Sequence, residues 1–474
     1  MAGRSRPVVV AVLVLGALVG GLPPLYGAAL LVGGAVTLAV LANPVLGLAL
    51  LGFAIPLSPA GDTLPLAPND ALALLIMAAV ALAGLVRRRF TLTPTGAFWP
   101  GVAFVVVAIL SALGAGDALV SIKEVVRWAE VLGILVATAS LCQRWEERRL
   151  VLFGVLAGAI GEALIGWGQF FLRRGPPSFR IGPFLRAYGT FGQPNPFGGY
   201  FALTLPVILA LLCWLWLRSR ERRPAAARWP ALDRWFFLAV LVAGALGGAA
   251  LLMSLSRGAL MGVIGGGLVL VALLSRRGGL LVVAVAGLAL AVFGLESLHL
   301  LPPAVSNRLA QIVEYGGWFD TTNVVPTPQN WAIVERMAHW QAAWNMYIAN
   351  PLLGVGPGHY ALAYPTYRVN DFWLDPLGHA HNIYLNVMAE LGFLGIATYL
   401  GQLVAWILVC FAAFRRARTT RDRFLACGVL ASLLAVAIHN VFDNLSVHGL
   451  ATLLGMLVGL AGAIDRGDRA ENQA

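Results

Sequence analysis

One histidine stands out because of where it lies in the chain. His381 and Asn382 come where a long polar segment gives way to a long apolar run. Histidine changes protonation near neutral pH, so it can take a proton from a reacting hydroxyl group. Polar residues are costly at the mouth of a membrane helix, which favours a functional reason for them. We therefore predict that His381 is a catalytic base and that Asn382 binds substrate; an interfacial histidine bonded only to its loop is the alternative.

Two arginines lie in settings that suit an anion. Arg257 follows Ser-Leu-Ser at the start of an apolar run, where the free N–H groups and the dipole of a helix N-terminus attract negative charge. Arg336 lies beside Glu335 on a predicted loop helix. A guanidinium fork matches phosphate oxygens, so both are predicted substrate-binding residues. The alternatives are snorkelling to the interface for Arg257 and a salt bridge with Glu335 for Arg336.

Two further residues are weaker candidates for substrate binding. Arg127 shares about two turns of a predicted helix with Glu130 and other charged residues, which indicates an internal ion network. Asn195 precedes Pro196 at the start of a predicted spanning helix. This pattern is typical of an N-cap, although Asn195 could also line the site. Glu162, inside another apolar run, is interpreted as structural.

Metal and cofactor chemistry are not predicted. His379 lies two residues before His381, but no spacing of Asp, Glu, Cys or His completes a first shell around them. The four cysteines form no CxxC pattern and lie in or beside apolar runs, where burial is their expected fate.

The composition is that of a membrane protein with several spans. The chain is 59% hydrophobic and 12% charged, whereas soluble domains are about 45–50% apolar and about 25% charged. The net charge of +11 comes from short arginine clusters between apolar runs, a pattern typical of cytoplasmic loops rather than of a nucleic-acid surface. No internal repeat of the kind found in many transporters is present.

The apolar runs predict an all-α transmembrane bundle of 14 helices, or 12 if the first short segments merge or lie re-entrant. A span needs about 20 residues. The arginine clusters fall on one side of this arrangement, which places both termini in the cytoplasm. The predicted spans are 7–22, 25–42, 44–57, 70–86, 97–113, 125–142, 149–172, 195–217, 235–254, 257–274, 279–296, 383–411, 423–442 and 448–464.

A long loop divides the bundle into two parts. We predict an N-terminal part at 1–296, an extracytoplasmic loop domain at 297–380 and a C-terminal part at 381–474. A loop of this length exceeds a plain connector and is expected to fold. Residues 331–348 read as an amphipathic helix whose tryptophans could lie against a membrane surface.

Several segments, in this order, together resemble the O-antigen ligase and O-antigen polymerase superfamily of bacterial envelope glycosyltransferases. The resemblance covers about 188–395, whereas the first 180 residues match only in hydropathy. Its pieces are Gly189 to Asn195, Ser254 to Gly258, Arg336 with Trp340, Pro351 to Gly358, and His381-Asn382 with Leu385, Glu390 and Gly392.

The resemblance implies a metal-independent inverting transferase. Its donor would be a glycan on undecaprenyl pyrophosphate, and its acceptor the hydroxyl of lipid A–core in a ligase. By this resemblance His381 is the essential histidine, and Arg257 and Arg336 bind the pyrophosphate. The site would face the periplasm from a multi-pass inner-membrane protein that contacts lipids and no nucleic acid.

Other functions stay open at this stage. A polysaccharide polymerase would use a second lipid-linked repeat as acceptor, and a protein O-oligosaccharyltransferase would use a protein. A transporter or flippase of an anionic lipid-linked glycan, and a scaffold without catalysis, are alternatives from other classes. Loss of transfer in a His381→Ala protein that still inserts would separate an enzyme from a scaffold.

Overall fold

The predicted all-α class is confirmed. A computed structural model describes residues 24–58, 67–88, 92, 94–220, 230–280, 283–284, 287, 317–322, 324–327 and 330–470. Fourteen helices of seven or more residues lie in this part of the chain. They are α1 Pro24–Ala42, α2 Pro44–Ala54, α3 Pro68–Val86, α4 Phe98–Ala112, α5 Ala118–Leu141, α6 Trp145–Leu172, α7 Pro194–Arg220, α8 Ala231–Ser254, α9 Arg257–Leu274, α10 Trp331–Ala349, α11 Tyr360–Tyr367, α12 Ile383–Arg416, α13 Thr420–His439 and α14 Leu450–Ala470.

The chain is a multi-pass membrane protein. Seven helices are long and apolar enough to cross a membrane, namely α3, α6, α7, α8, α9, α12 and α13. Shorter apolar helices lie at Tyr26–Ala42, Pro44–Leu57, Phe98–Ala112 and Leu450–Ile464. Twelve of the fourteen predicted spans coincide with helices, whereas 7–22 and most of 279–296 lie outside the described residues. The fourteen helices are not the fourteen predicted spans, because α10 and α11 belong to the loop between α9 and α12.

Irregular structure is confined to short connections. Ile55–Leu57 and Pro177–Phe179 form 3-10 turns, and a hairpin of two-residue strands joins α6 to α7. These strands, β1 (Arg180–Ile181) and β2 (Phe184–Leu185), pair antiparallel. One continuous apolar core runs through the bundle, and α10 and α11 have a small core of their own against α12.

Polar side chains fix where several helices begin. Asp117 accepts hydrogen bonds from the N–H groups of Leu119 and Val120 and so caps α5. Asn382 does the same for α12, accepting from Tyr384 at 3.0 Å and Leu385 at 3.1 Å. Such caps satisfy N–H groups that have no partner inside the helix. The start of α12, one residue after Asn382, is therefore set by the local sequence.

Ion pairs hold four helices together at one end of the bundle. Asp233 accepts from Arg149 at 2.8 Å and from Arg218 at 2.9 Å, which joins α8 to α6 and α7. Arg148 and Asp422 form a buried pair at 3.3 Å that joins α6 to α13. The arginines at 144–149, 218–220, 234 and 415–423 therefore lie at one end of the bundle. The opposite ends of α8 and α13 carry the candidate site.

A break inside α12 receives the turn after α10. Gly392 has φ 66° and ψ −160°, so the helix is interrupted there. Phe393 N–H donates to the Pro351 carbonyl at 2.7 Å, and Val355 N–H donates to the Ala389 carbonyl at 3.0 Å. A Cβ at Gly392 would collide with the Leu352 backbone. The glycine is required because two backbones approach each other closely at a positive φ.

Candidate functional site

His381 is held by contacts at both its backbone and its ring. Its N–H donates to Nδ1 of His379 at 3.1 Å, and its carbonyl accepts from Nε1 of Trp340 at 3.4 Å. Nδ1 of His381 lies 3.3 Å from Oδ1 of Asp443. The residue has φ 51°, a left-handed conformation that is uncommon outside glycine. A carboxylate at Nδ1 favours the tautomer that carries hydrogen there, which leaves Nε2 as the proton acceptor.

Asp443 is the acidic residue around which the site is organised. Its side chain is 3% exposed, and Oδ1 also accepts the Asn444 N–H at 2.8 Å. Nε2 of His379 lies 3.9 Å from Oδ1, and Nε2 of His439 lies 3.8 Å from Oδ2. Burial alone would raise the pKa of Asp443, but the imidazoles of His381 and His439 hold it well below its ordinary value. The site therefore contains a buried carboxylate that stays ionised.

Three arginines act electrostatically on this centre. Burial, then Arg336 and Arg257, lower the pKa of Arg186 to about 10, and Asp443 opposes the shift. Burial also lowers the pKa of Arg336, whereas the negative charge of Asp443 acts to raise it. Like charges gathered in a partly buried place are unfavourable without an anion to balance them. The grouping therefore has the positive charge to attract an anion, and Asp443 neutralises that charge only in part.

The connections on either side of α7 and α8 position two of these arginines. Arg186 donates from Nε to the Ser254 carbonyl at 2.7 Å and from Nη2 to Oδ1 of Asn195 at 2.8 Å. It thereby caps the end of α8. Leu255 then turns the chain with φ 49°, so that Arg257 opens α9. Arg257 is exposed and Arg336 is half-buried, so neither side chain is fully enclosed by the protein.

The predicted residues do not all play equivalent parts. Asn195 lies one residue inside α7 rather than at its N-cap, and its side chain orients Arg186. The side-chain oxygen of Asn382, which is buried, caps α12. Arg127 pairs with Glu124 at 3.4 Å rather than with Glu130, and its side chain is 54% exposed. Within the described residues, no hydrogen bond or ion pair joins Arg127 to Asp443 or to the three arginines.

The imidazoles of His339 and His379 lie beside that of His381. Nδ1 of His339 is 2.9 Å from the Tyr360 hydroxyl, and its ring stacks on Tyr364 with centroids 4.7 Å apart. Burial, then the charges of His381 and His379, lower the pKa of His339 to about 3. Burial and His381 lower the pKa of His379 to about 4, although Asp443 opposes the shift. Both rings are therefore neutral at physiological pH, so neither adds to the positive charge that the three arginines supply near His381.

Glu162 and Gln169 of α6 hold the segment before α7 in place. Thr190 N–H donates to Oε1 of Glu162 at 2.9 Å, and Gly189 N–H donates to Oε1 of Gln169 at 2.7 Å. These contacts agree with the structural interpretation of Glu162. Glu390 acts in the same way on the turn after α10, accepting from the N–H groups of Gly358 and Tyr360, each at 3.0 Å.

The donor atoms around Asp443 also fit part of a metal shell. One ligand atom each from His379, His381 and Asp443 lies within 4.8 Å of the others. The sequence indicated His379 and His381 but not Asp443, which the fold brings to them from the segment that follows α13. The expected absence of a metal therefore stays a prediction.

Sequence reasoning missed Asp443 and did not place Arg186 in the site. Asp443 lies 62 residues after His381. The available signal was the polar run His439-Asn440 and Asp443-Asn444, which follows an apolar helix. For Arg186, the signal was its position on the side of the membrane where arginines are unexpected.

Comparison with known families agrees with this geometry. Residues 237–400 match the Wzy_C family model, described as O-antigen ligase. This segment is therefore similar to an O-antigen ligase domain. The domain includes Arg257, Arg336 and His381 but ends before Asp443, and no curated protein matches the chain. The resemblance predicted from the sequence is confirmed over this part of the chain.

Proposed function

We propose that this membrane protein is an O-antigen ligase, which transfers a glycan from undecaprenyl pyrophosphate to a hydroxyl group of lipid A–core. One observation supports this most strongly: His381 is bonded to the buried carboxylate of Asp443 beside Arg186, Arg257 and Arg336. A base and an anion site side by side are what such a transfer requires. The family match supports lipid-linked glycans as the substrates.

The arginines would act on the donor. Guanidinium groups bind pyrophosphate oxygens through paired hydrogen bonds, and the N-terminus of α9 adds N–H groups that attract the same anion. As the bond from the anomeric carbon to the pyrophosphate oxygen breaks, negative charge grows on the leaving group. Fixed positive charge at that point lowers the barrier, often as the largest catalytic contribution.

His381 would act on the acceptor. Nε2 takes the proton of the acceptor hydroxyl, while Nδ1–H stays bonded to Asp443. The acceptor oxygen forms its new bond to the anomeric carbon opposite the departing undecaprenyl pyrophosphate, so the configuration at that carbon inverts. Asp443 stabilises the imidazolium that forms, as buried carboxylates do in other His-Asp pairs.

We further propose that the reaction needs no metal ion and takes place on the periplasmic face, with both termini in the cytoplasm. Three arginines supply the positive charge that a divalent cation would otherwise provide. The orientation follows from the arginine clusters, which lie at the end of the bundle opposite to His381.

A polymerase or a protein O-oligosaccharyltransferase would use the same chemistry, because only the acceptor differs. The test is transfer by the purified full-length protein from an undecaprenyl-pyrophosphate glycan. Lipid A–core, a second molecule of donor and an acceptor protein are supplied in separate reactions, and the products are identified by mass spectrometry. Glycosylated lipid A–core supports the proposal, whereas longer carrier-linked glycan or a glycosylated protein replaces it with one of the alternatives. Intact donor with every acceptor would favour a transporter or a scaffold.

A further inference from the structure

An exposed aromatic surface borders the site on the loop domain. It consists of the exposed rings of Trp331 and Phe372, the buried ring of Trp373 that contacts both, and the carboxylates of Glu335 and Asp375, and we call it the aromatic rim. The Trp331 and Phe372 side chains are 44% and 56% exposed. Burying apolar area of this kind is favourable, so such surfaces mark places where something binds.

The rings of the aromatic rim are held in place rather than loosely exposed. Trp373 is buried against Val334 and Ala338 of α10. Trp331 contacts Trp373 with ring centroids 5.1 Å apart and Phe372 at 5.8 Å. Nε1 of Trp331 donates to Oε1 of Glu335 at 3.3 Å. A fixed aromatic face loses little conformational freedom when a ligand packs on it.

The carboxylates connect the aromatic rim to the reacting groups. Burial raises the pKa of Glu335, while the charges of His381 and Arg336 act to lower it and that of Asp375 to raise it. Glu335 therefore lies within electrostatic range of both the base and the anion site. Along α10, Trp331 and Arg336 are five residues apart, a rise of about 7.5 Å.

We propose that the aromatic rim binds a sugar ring of the acceptor glycan and presents its hydroxyl to His381; this rests on the proposed transferase function. The face of a sugar ring carries C–H groups that pack on the electron-rich face of an aromatic ring. Its hydroxyls donate to carboxylates such as Glu335 and Asp375. The same carboxylates repel phosphate, which directs the pyrophosphate of the donor to the arginines and leaves the aromatic rim for an uncharged sugar.

A membrane surface is the other occupant that exposed tryptophans suggest. The charges oppose it, because Glu335, Asp371 and Asp375 lie on or beside the rim and anionic headgroups are attracted by lysine and arginine. Of the neighbouring cations, Arg368 is paired with Asp371 at 2.5 Å, and Arg336 is assigned to the pyrophosphate of the donor. The rim is therefore suited to hydroxyl groups rather than to lipid phosphates.

Acceptor kinetics test the proposal in the purified full-length protein. Trp331→Ala and Phe372→Ala should each raise the KM for lipid A–core by about threefold to tenfold, the scale of a lost aromatic contact, and leave the donor KM unchanged. Trp331→Phe should recover most of the acceptor affinity. The control is Trp344→Ala, an exposed tryptophan on the same helix outside the rim, which should change neither value. An unchanged acceptor KM in the rim variants would overturn the proposal.

Direct binding separates this proposal from the proposed function. Core oligosaccharide released from lipid A by mild acid is added to the protein in nanodiscs, and saturation transfer to the sugar protons is measured by NMR. Transfer that falls in Trp331→Ala but persists in Trp344→Ala supports the rim, even if no glycosyl transfer is found. The rim proposal would be refuted if wild type gave no saturation transfer to the sugar protons, or if brominated lipids quenched the fluorescence of Trp331. Either result would leave the transferase proposal intact.

Discussion

Replacing Asp443 with asparagine tests whether the carboxylate acts through His381. The substituted side chain would keep the size of the original but lose the negative charge 3.3 Å from Nδ1 of His381. Two consequences follow from the geometry. The tautomer with hydrogen at Nδ1 is no longer favoured, and the imidazolium formed during transfer loses its counter-charge.

The expected magnitude follows from the bond that is lost. A hydrogen bond between charged groups contributes about 1.5–3 kcal/mol, which corresponds to a fall in kcat of about 10-fold to 150-fold. Donor binding should respond differently, because Asp443 opposes the cationic charge of Arg186 and Arg336. Removing that carboxylate leaves the arginines more attractive to pyrophosphate, so the donor KM should stay constant or fall.

The assay is steady-state transfer with purified Asp443→Asn over a range of donor concentrations. Asp422→Asn is the matched control, because Asp422 is also a buried carboxylate in an ion pair but lies at the opposite end of the bundle. The control should lose thermal stability and keep its kcat. A kcat for Asp443→Asn within twofold of wild type, or a fall equal to that of Asp422→Asn, would refute the positioning role.

Three further predictions concern other parts of the molecule. Arg336→Lys should raise the donor KM by about tenfold, because lysine keeps the charge but loses the paired hydrogen bonds. Transfer rates over a range of donor concentrations measure this, with Arg415→Lys as a control that should keep the wild-type donor KM. The same donor KM in Arg336→Lys and in wild type would contradict the prediction. Gly392→Ala should lower the melting temperature, because the positive φ and the Leu352 backbone leave no room for a Cβ. Gly401→Ala is the control, because a Cβ there would meet open space on the same helix. Equal melting temperatures for the two variants would count against the close approach of the two backbones. His339 and His379 have folded pKa values of about 3 and about 4, so they bind protons more weakly in the folded than in the unfolded chain. The free energy of unfolding should therefore fall as the pH drops below about 6.5, by on the order of 1–2 kcal/mol for each histidine by pH 5. Thermal unfolding at pH 7.5 and pH 5 measures this loss, and a His379→Asn protein with the wild-type pH dependence would contradict the prediction.

The helical framework could be predicted because the membrane imposes simple rules. Every backbone group must be satisfied within lipid, so apolar runs become helices, and arginine clusters mark one side. Short runs such as 44–57 were predicted as spans, and the structure has an apolar helix there, at Pro44–Leu57, that is shorter than the roughly 20 residues of a full crossing. The helices of the loop were only partly visible, since the amphipathic pattern indicated α10 but nothing indicated α11.

Only part of the candidate site could be predicted, since a local pattern shows a residue but not its distant partner. Arg257 and Arg336 were recognised from their own settings, and the structure adds that both act on Arg186. Asp443 could not be assigned because its partner, His381, lies 62 residues earlier in a different connection. Arg127 illustrates the opposite case, because charges at helical spacing predicted a network and the structure gives it a pair with Glu124 instead.

Helix capping explains why two asparagines were harder to interpret than the charged residues. Asn382 and Asn195 both lie at the start of a helix, where an amide either caps the backbone or contacts another side chain. The structure assigns the first behaviour to Asn382 and the second to Asn195, whose oxygen binds Arg186. The sequence around each asparagine is compatible with both outcomes, so only the packing of α8 beside α7 decides between them.

The most direct test of the account compares transfer by wild type, His381→Ala and Arg257→Ala in the presence of EDTA. Each protein is purified in full length and supplied with undecaprenyl-pyrophosphate glycan and lipid A–core, and its insertion is checked by its elution and melting profiles. The account predicts product from wild type despite the chelator, and none from either variant although both remain folded. Undiminished transfer by His381→Ala, or loss of wild-type activity in EDTA that zinc or magnesium restores, would contradict it.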